Sequence, residues 1–376
     1  MYITRVSKFL PNNAVSNDEM ESVLGQINKT PSKARRIVLR NNGIKERYYA
    51  IDKEGNITHT NAELTRKAVE NLFDGSFTGQ DIEVLSCGTS SPDQIGPSHA
   101  AMVHGLLANK NLELNSASGI CCAGIASLKY GFLSIKAENS NNAVCTGSER
   151  ISTWMLADKY DKETENLKKL KAQPIIAFKK DFLRWMLSDG AGAMLLENKK
   201  NEKGISLRID WIEIYSYAHE LETCMYAGAE KQEDGTLKSW SEYPSDEWLK
   251  QSLFSVKQDV KLLDENILEK GVDSLKMAFE KNRVDETKIN YFLPHISSFY
   301  FADKLNKLFK ERGLNIPDEA WFTNLDRVGN IGSASIYVML EELFNSGKLQ
   351  EGDTIILSVP ESGRFSYAYV HLTVCC

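Results

Sequence analysis

Short apolar runs alternate along the whole chain with longer stretches in which apolar residues recur at helical spacing. The short runs are rich in β-branched and aromatic residues and stop at Gly, Pro, Ser or Asn, which marks strands. They predict strands over Tyr2–Phe9, Ile82–Cys87, Leu112–Asn115, Ala143–Thr146, Ala191–Glu197, Ile205–Tyr217, Tyr291–Pro294, Thr354–Val359 and Tyr367–Val374. Helical spacing predicts helices over Asn61–Phe73, Gly124–Glu138, Asp259–Asn282, Phe299–Gly313 and Ser333–Ser346. The stretch AGIASLKYGFLSIKA after Cys122 is short of charge for two turns, so it predicts a buried helix. Strands and helices in alternation imply an α/β fold, with central helices buried between sheets. Residues 155–184 break the pattern. They are charged and start without a strand signal, so they read as an insertion, either a flap over a site or a surface excursion.

The pattern also repeats. DIEVLSCGTSS starts at Asp81 and KINYFLPHISS at Lys288, 207 residues later. CCAGIASL lies over GNIGSASI with Gly124 matching Gly332, Ala126 matching Ala334 and Ser127 matching Ser335, an offset of 208. Two matches in one order at nearly one offset imply a duplicated unit. We therefore expect two similar α/β halves, residues 1–202 and 203–376.

Composition narrows the class. The 376 residues are 42% apolar and 26% charged, close to a soluble globular average, with a net charge of −6. No Lys/Arg cluster is large enough for a nucleic-acid footprint. The short group Lys33, Arg35, Arg36 and Arg40 reads as a solvated face, or else as a contact for an acidic carrier or a phosphate. No apolar run approaches a bilayer span and no secretory leader is visible. The seven cysteines follow neither a disulfide framework nor zinc spacing. We expect a cytoplasmic protein with reduced thiols, no metal and no cofactor.

Four positions carry candidate chemistry. Cys122, in SGICCAG, starts the small-residue helix, and a helix N-terminus favours a thiolate; the alternative is a small buried hydrophobe. Its neighbour Cys121 cannot point the same way and reads as packing. His295 follows a strand and a proline, a rigid place from which to face a site. Asn330 either caps a helix or donates its amide to an oxyanion. Gly363 is either a simple turn or a backbone N–H beside a reacting carbonyl. The repeat sets Asn330 opposite Cys122, so a pseudo-twofold arrangement would bring Cys122, His295 and Asn330 to one centre.

Together these residues resemble the β-ketoacyl-ACP synthase III family of the thiolase superfamily, over nearly the whole chain. The opening MYITRVSKFLPNNAVSNDEM, the segment NNGIKERYYA, the cysteine motif, SDGAGA at 188–193, PH at 294–295 and GN at 329–330 occur in the family's order. The resemblance implies a thiolase fold, duplicated α/β halves in five αβαβα layers. It implies Claisen condensation of a Cys122-bound acyl group with a malonyl- or 3-oxoacyl-thioester. His295 and Asn330 would stabilise the enolate, and the N–H groups of Cys122 and Gly363 would form the oxyanion hole. Acyl-CoA or acyl-ACP donors, an acyl carrier protein and a homodimer are the implied partners. An acyltransferase or thioesterase that forms no carbon–carbon bond is the alternative, and an inactive partner subunit a third.

Departures from the family pattern bear on substrate. Ser298 stands where the family has Asn, Ile37 where a tryptophan stacks on CoA, and Asn41 where a basic residue follows. Gly96 replaces a bulky residue that limits the acyl pocket across the dimer, which implies a larger acyl donor. The basic docking position falls on Tyr300, with Lys304, Lys307, Lys310 and Arg312 on the same helix. These changes resemble family members that make dialkylresorcinol and flexirubin-type pigments.

Overall fold

A computed structural model describes residues 1–32, 35–161, 183–251 and 253–376. Most of the predicted insertion, residues 162–182, lies outside the described residues, as does Lys33. Nine strands form one sheet: β1 Tyr2–Phe9, β2 Val84–Thr89, β3 Glu113–Ser118, β4 Asn142–Glu149, β5 Gly190–Glu197, β6 Ser206–Ser216, β7 Tyr291–Pro294, β8 Thr354–Glu361 and β9 Ser366–Cys375. Seven helices matter for the site: α1 Arg35–Asn42, α2 Asn61–Glu70, α3 His99–Leu107, α4 Ala123–Lys136, α5 Val260–Asn282, α6 Tyr300–Glu311 and α7 Ser335–Phe344.

The strand order is β7-β8-β9-β6-β1-β5-β4-β2-β3. Its pairing pattern repeats. In one set β3, β2 and β4 run parallel, then β5 and β1 turn antiparallel. In the other β7 and β8 run parallel, then β9 and β6 turn antiparallel. Where the first set has β3, the second has only a parallel bridge between Phe292 and Trp321. The sets join through a short β1–β6 ladder at Tyr2↔Arg208 and Ile3↔Leu207.

Packing sorts the elements into five layers. α2 and α3 cover the outer face of the first set, where Leu64 and Val69 meet Leu85 and Leu195. α5 and α6 cover the outer face of the second, where Leu275 and Phe309 meet Phe292 and Ile356. Ile125 and Leu128 of α4 and Ile336 and Leu340 of α7 share a core with both sets of strands. A helix apolar on every side has to be buried in this way.

Local sequence explains the element ends. α2 starts at a capping box between Thr60 and Glu63, reinforced by Asp93, which accepts from the N–H groups of Asn61 and Ala62 at 2.9 and 3.0 Å. Asp259 caps α5 through the Leu262 N–H. Buried Asp189, in SDGAGA, accepts from the N–H groups of Ala50, Ile151 and Ser152 at 2.7, 2.6 and 2.9 Å. In NNGIKERYYA, Asn42 and Arg47 donate to the Trp185 carbonyl, so this segment is clamped to the chain just ahead of SDGAGA.

Side-chain size sets the spacing of the central layer. A Cβ at Gly124 would sit 2.3 Å from the Ser333 carbonyl oxygen, and one at Gly147 would meet the same atom at 2.3 Å. Tyr337 closes the contact, donating its hydroxyl to the Gly124 carbonyl at 2.8 Å. Gly124→Ala is expected to lower stability by about 1–3 kcal/mol through forced separation of α4 from the start of α7. Tyr337→Phe, which only deletes a hydrogen bond, is expected to cost about 1 kcal/mol. Urea denaturation of the two variants checks the order; equal, negligible effects would show that the close contact does not hold the layers.

Candidate active site

An apolar cavity lies beneath α5 and α6. Its walls include Leu263, Ile267 and Leu275 of α5, Phe301 and Phe309 of α6, and Tyr369 of β9. The tyrosine hydroxyls do not make it polar: Tyr369 bonds Ser274 and the Gly271 carbonyl, and Tyr367 the Ile267 carbonyl, each at 2.8–2.9 Å. Cys121, His295, Ser297 and Asn330 supply polar groups on the same wall, and no Lys or Arg lies among the described residues lining it. Leu183, Met186 and Leu187, where the described chain resumes, also line it. An apolar pocket with a few polar groups on its lining is the usual form of a ligand site.

His295 follows β7, fixed by its backbone N–H to the Ser358 carbonyl at 2.8 Å. Burial lowers its pKa to about 4, so the imidazole is neutral at physiological pH. Asn330 sits between Gly329 and the turn into α7. Its Oδ1 accepts the Gly332 N–H at 2.9 Å, which leaves the amide Nδ2 as the donor for the cavity that the residue lines. The structure therefore places His295 and Asn330 on the lining of one cavity.

The two cysteines are placed differently from expectation. Cys121 is on the cavity wall, although it reads from sequence as packing. Cys122 is the N-cap of α4, 6% exposed, with its thiol donating to the Val359 carbonyl at 3.3 Å. The expected thiolate is corrected as well. Burial first, and the Glu361 carboxylate second, push both thiols well above their ordinary pKa.

Glu361 explains why. One of its oxygens accepts the N–H groups of Ile120 and Cys122 at 3.0 and 2.9 Å, at the positive end of α4. The position that would favour a thiolate is thus held by a carboxylate. The same oxygen occupies the Cys122 N–H expected in the oxyanion hole. Gly363 lies close by, where a Cβ would meet Ile120 at 2.9 Å and Glu361 at 3.4 Å, and its carbonyl accepts from the N–H groups of Cys224 and Met225. The pair of N–H groups that holds an anion is Ile120 with Cys122. Glu361 is the residue that sequence reading misses; PESG looks like a turn, and only the fold brings position 361 against 120–122.

The substrate positions scatter. Ser298 is fully buried and engaged with backbone, accepting the Tyr300 N–H at 3.2 Å and donating to the Asn41 carbonyl at 3.4 Å. Ser297 takes the cavity wall instead. Ile37 is 51% exposed on α1. Gly96 lies on an exposed loop with no heavy atom within 4 Å of an added Cβ, next to Ile95 at 84% exposure. The cations of α6 and its end are ion-paired: Lys304 with Asp264, Lys307 with Glu311, Lys310 with Asp318 and Arg312 with Glu269. Among the described residues no group of His, Cys, Asp or Glu is arranged to hold a metal, and no helix is long and apolar enough to cross a membrane.

Residues 279–369 match the family described as 3-oxoacyl-[acyl-carrier-protein (ACP)] synthase III C terminal, a segment that includes His295, Asn330, Glu361 and Gly363. The β-ketoacyl-[acyl-carrier-protein] synthase III of Rickettsia rickettsii (strain Sheila Smith) is 24% identical over 355 residues, 94% of each chain. Among solved structures, the tetronic acid condensing enzyme AbyA1 superposes with a TM-score of 0.75 at 18% identity, covering 99% of both chains. OleA of Xanthomonas campestris, solved with bound lauric acid and lauroyl-CoA, does so with 0.73 at 16% identity, covering 99% of this chain and 98% of that one. With its matched C-terminal segment and its end-to-end likeness to these proteins, the chain is similar to the β-ketoacyl-acyl-carrier-protein synthase III enzymes and shares the fold of the condensing-enzyme structures.

Proposed function

We propose that the protein is a condensing acyltransferase: Cys122 carries an acyl group, and a second thioester is joined to it through a new carbon–carbon bond. What supports this reading is that the pocket lined by His295 and Asn330 reaches Cys121, the chain neighbour of Cys122. The N-terminus of α4 presents Cys122, while His295 and Asn330 line an apolar cavity that comes up beside Cys121. A neutral imidazole and an amide donor are suited to an enolate oxygen, since neither adds a charge that water would otherwise have to solvate. The oxyanion of acyl transfer would rest on the Cys122 N–H, with the Gly363 N–H as second donor.

The cavity bears on the acyl group. Its wall between α5 and α6 is aliphatic and aromatic, the lining expected for a fatty chain rather than an acetyl group. That supports a medium or long acyl donor, with Gly96 as a further opening where a partner subunit would sit. Edge strand β3 exposes alternate residues and has a free side, which supports a homodimer built by continuing the sheet. An acyl carrier protein is the expected delivery partner, although the ion-paired cations of α6 make another face its dock. Formation of resorcinol or related pigments from two chains is the pathway reading this cavity favours over acetyl-based fatty-acid initiation.

Incubation with lauroyl or shorter acyl thioesters should add one acyl mass to the protein. Cys122→Ala should abolish the adduct and Cys121→Ala should retain it. An adduct lost only in the Cys121 variant would move the nucleophile by one residue, and none in wild type would leave an inactive subunit. Adding a malonyl or 3-oxoacyl thioester to the acylated protein should give a ketone product; release of free acid alone would identify a thioesterase.

Ile267→Trp should shorten the cavity. The expected result is at least a roughly tenfold fall in kcat/KM for dodecanoyl donors with butanoyl donors little changed. Equal loss for both chain lengths would place the acyl group elsewhere.

The raised thiol pKa predicts slow alkylation by iodoacetamide at neutral pH, with a rate that climbs as the solution is made alkaline. Removing the neighbouring negative charge with Glu361→Gln lowers the thiol pKa, so alkylation under mildly alkaline conditions should speed up. A rate already saturated at neutral pH in wild type would contradict the arrangement at the head of α4.

A further inference from the structure

Glu361 has no part in the chemistry described so far, yet its carboxylate sits on the backbone of the nucleophile itself. It is 9% exposed, at the end of β8, and its side chain crosses to the opposite half of the molecule. There it accepts from the Ile120 and Cys122 N–H groups, and no Lys or Arg pairs with it among the described residues. A buried carboxylate without a cation is costly, and here only two amide donors and the end of one helix offset that cost. Local departures of this kind are expected at functional sites.

Three facts limit what that function is. Acylation of Cys122 needs the Cys122 N–H for the acyl carbonyl oxygen, so the carboxylate must leave that donor as the acyl group arrives. It then stays beside the acyl carbon, tethered through the rigid end of β8. The carboxylate sits on the Cys122 N–H, and the flanking residues Pro360 and Ser362 line the cavity, so position 361 joins the nucleophile to the pocket. A donor that loses CO2 forms its carbanion without a base. It would also bring a second carboxylate against Glu361, with no Lys or Arg among the described residues of the cavity wall to receive it. A donor that loses a proton needs a base at that place.

We propose that Glu361 is a catalytic base, removing the α-proton of a 3-oxoacyl or acyl thioester, so that condensation proceeds with loss of a proton rather than of CO2. This rests on Cys122 as the acyl carrier. The Glu361 carboxylate takes the Cα proton, and the electron pair moves into the donor's thioester carbonyl. His295 and Asn330 hold the resulting enolate oxygen. The enolate carbon attacks the acyl carbonyl on Cys122 and forms the carbon–carbon bond. The bond to sulfur breaks, and the thiolate recovers the proton from the Glu361 carboxyl. The net change is acyl-Cys plus donor thioester giving β-ketoacyl thioester plus free thiol. Burial raises the Glu361 pKa above the ordinary carboxylate value, in the direction that makes it a better base.

Glu361→Gln separates this role from a structural one, because the amide oxygen still accepts both backbone N–H groups but cannot take a proton. The full-length protein is first acylated on Cys122 with a lauroyl thioester, and the adduct mass shows that the variant is folded and competent. A 3-oxoacyl or acyl thioester is then added in D2O. Wild type should exchange the donor's α-proton and release product with no CO2. Glu361→Gln should keep the adduct but lose at least about 100-fold in both exchange and product formation, and Glu361→Asp should recover part of both. Undiminished condensation by Glu361→Gln, or one CO2 released per product from malonyl donors alone, would overturn the proposal while leaving the condensing activity in place. Absence of any adduct in wild type would remove the acyl carrier itself, and this base with it.

Discussion

The contact that organises the molecule is the one between the Ser333 carbonyl and the two glycines that make room for it. Gly124 on α4 and Gly147 on β4 both approach that oxygen too closely for any side chain, and Tyr337 then bonds back to the Gly124 carbonyl. Around it Glu149, buried in the first half, accepts the Ser333 N–H at 3.2 Å and the hydroxyls of Ser90 and Ser91 at 2.7 and 2.6 Å. The starts of α4 and α7 are therefore locked together before any ligand arrives. Cys122 and Asn330 lie just ahead of those starts. A site assembled at two buried helix ends inherits their rigidity, which a reaction between positioned groups requires.

The same junction controls charge. A helix N-terminus offers one favourable place for an anion, and a thiolate, an oxyanion and a carboxylate compete for it. In the free protein the carboxylate of Glu361 holds it. Burial first, and this carboxylate second, keep the thiol protonated. On the proposed mechanism acyl transfer would reverse the order: the neutral thioester would place a carbonyl oxygen where the carboxylate was, and the negative charge would move to the side. Only one charge has to be accommodated at each stage.

Much of this fold is legible in the chain. β1 and β7 run from the first to the last residue expected, Tyr2–Phe9 and Tyr291–Pro294: the first mixes apolar and polar residues before Pro11, and the second is an apolar run closed by Pro294. The repeat of DIEVLSCGTSS in KINYFLPHISS reappears as the parallel pairs β2–β4 and β7–β8. α3 escapes such a reading: HAAMVHGLL is apolar around most of its circumference and too short to show a period. His295 and Asn330 stand out because each ends a pattern the chain uses twice. Cys121 reads as packing yet lines the cavity, since which of two adjacent side chains faces a cavity depends on the helix start, to within one residue. Glu361 is invisible in the sequence because its meaning lies in a contact with Cys122, 239 positions away. The cavity is equally hidden, for the apolar residues of α5 and α6 read as core, and a cavity wall has the composition of a core.

That last likeness has a consequence for the chemistry. A wall of Leu, Ile and Phe around a neutral imidazole and an amide gives a medium in which an enolate gains little from solvent and much from fixed donors. Charge in such a place must be created and discharged locally. On the proposed mechanism a carboxylate held on two amide donors would accept a proton as the enolate forms, so one negative charge would move through the site and none would be added. The apolar cavity, the neutral His295 and the Glu361 carboxylate are then one electrostatic arrangement, which on the proposed mechanism would keep the charge constant while a carbon–carbon bond is made.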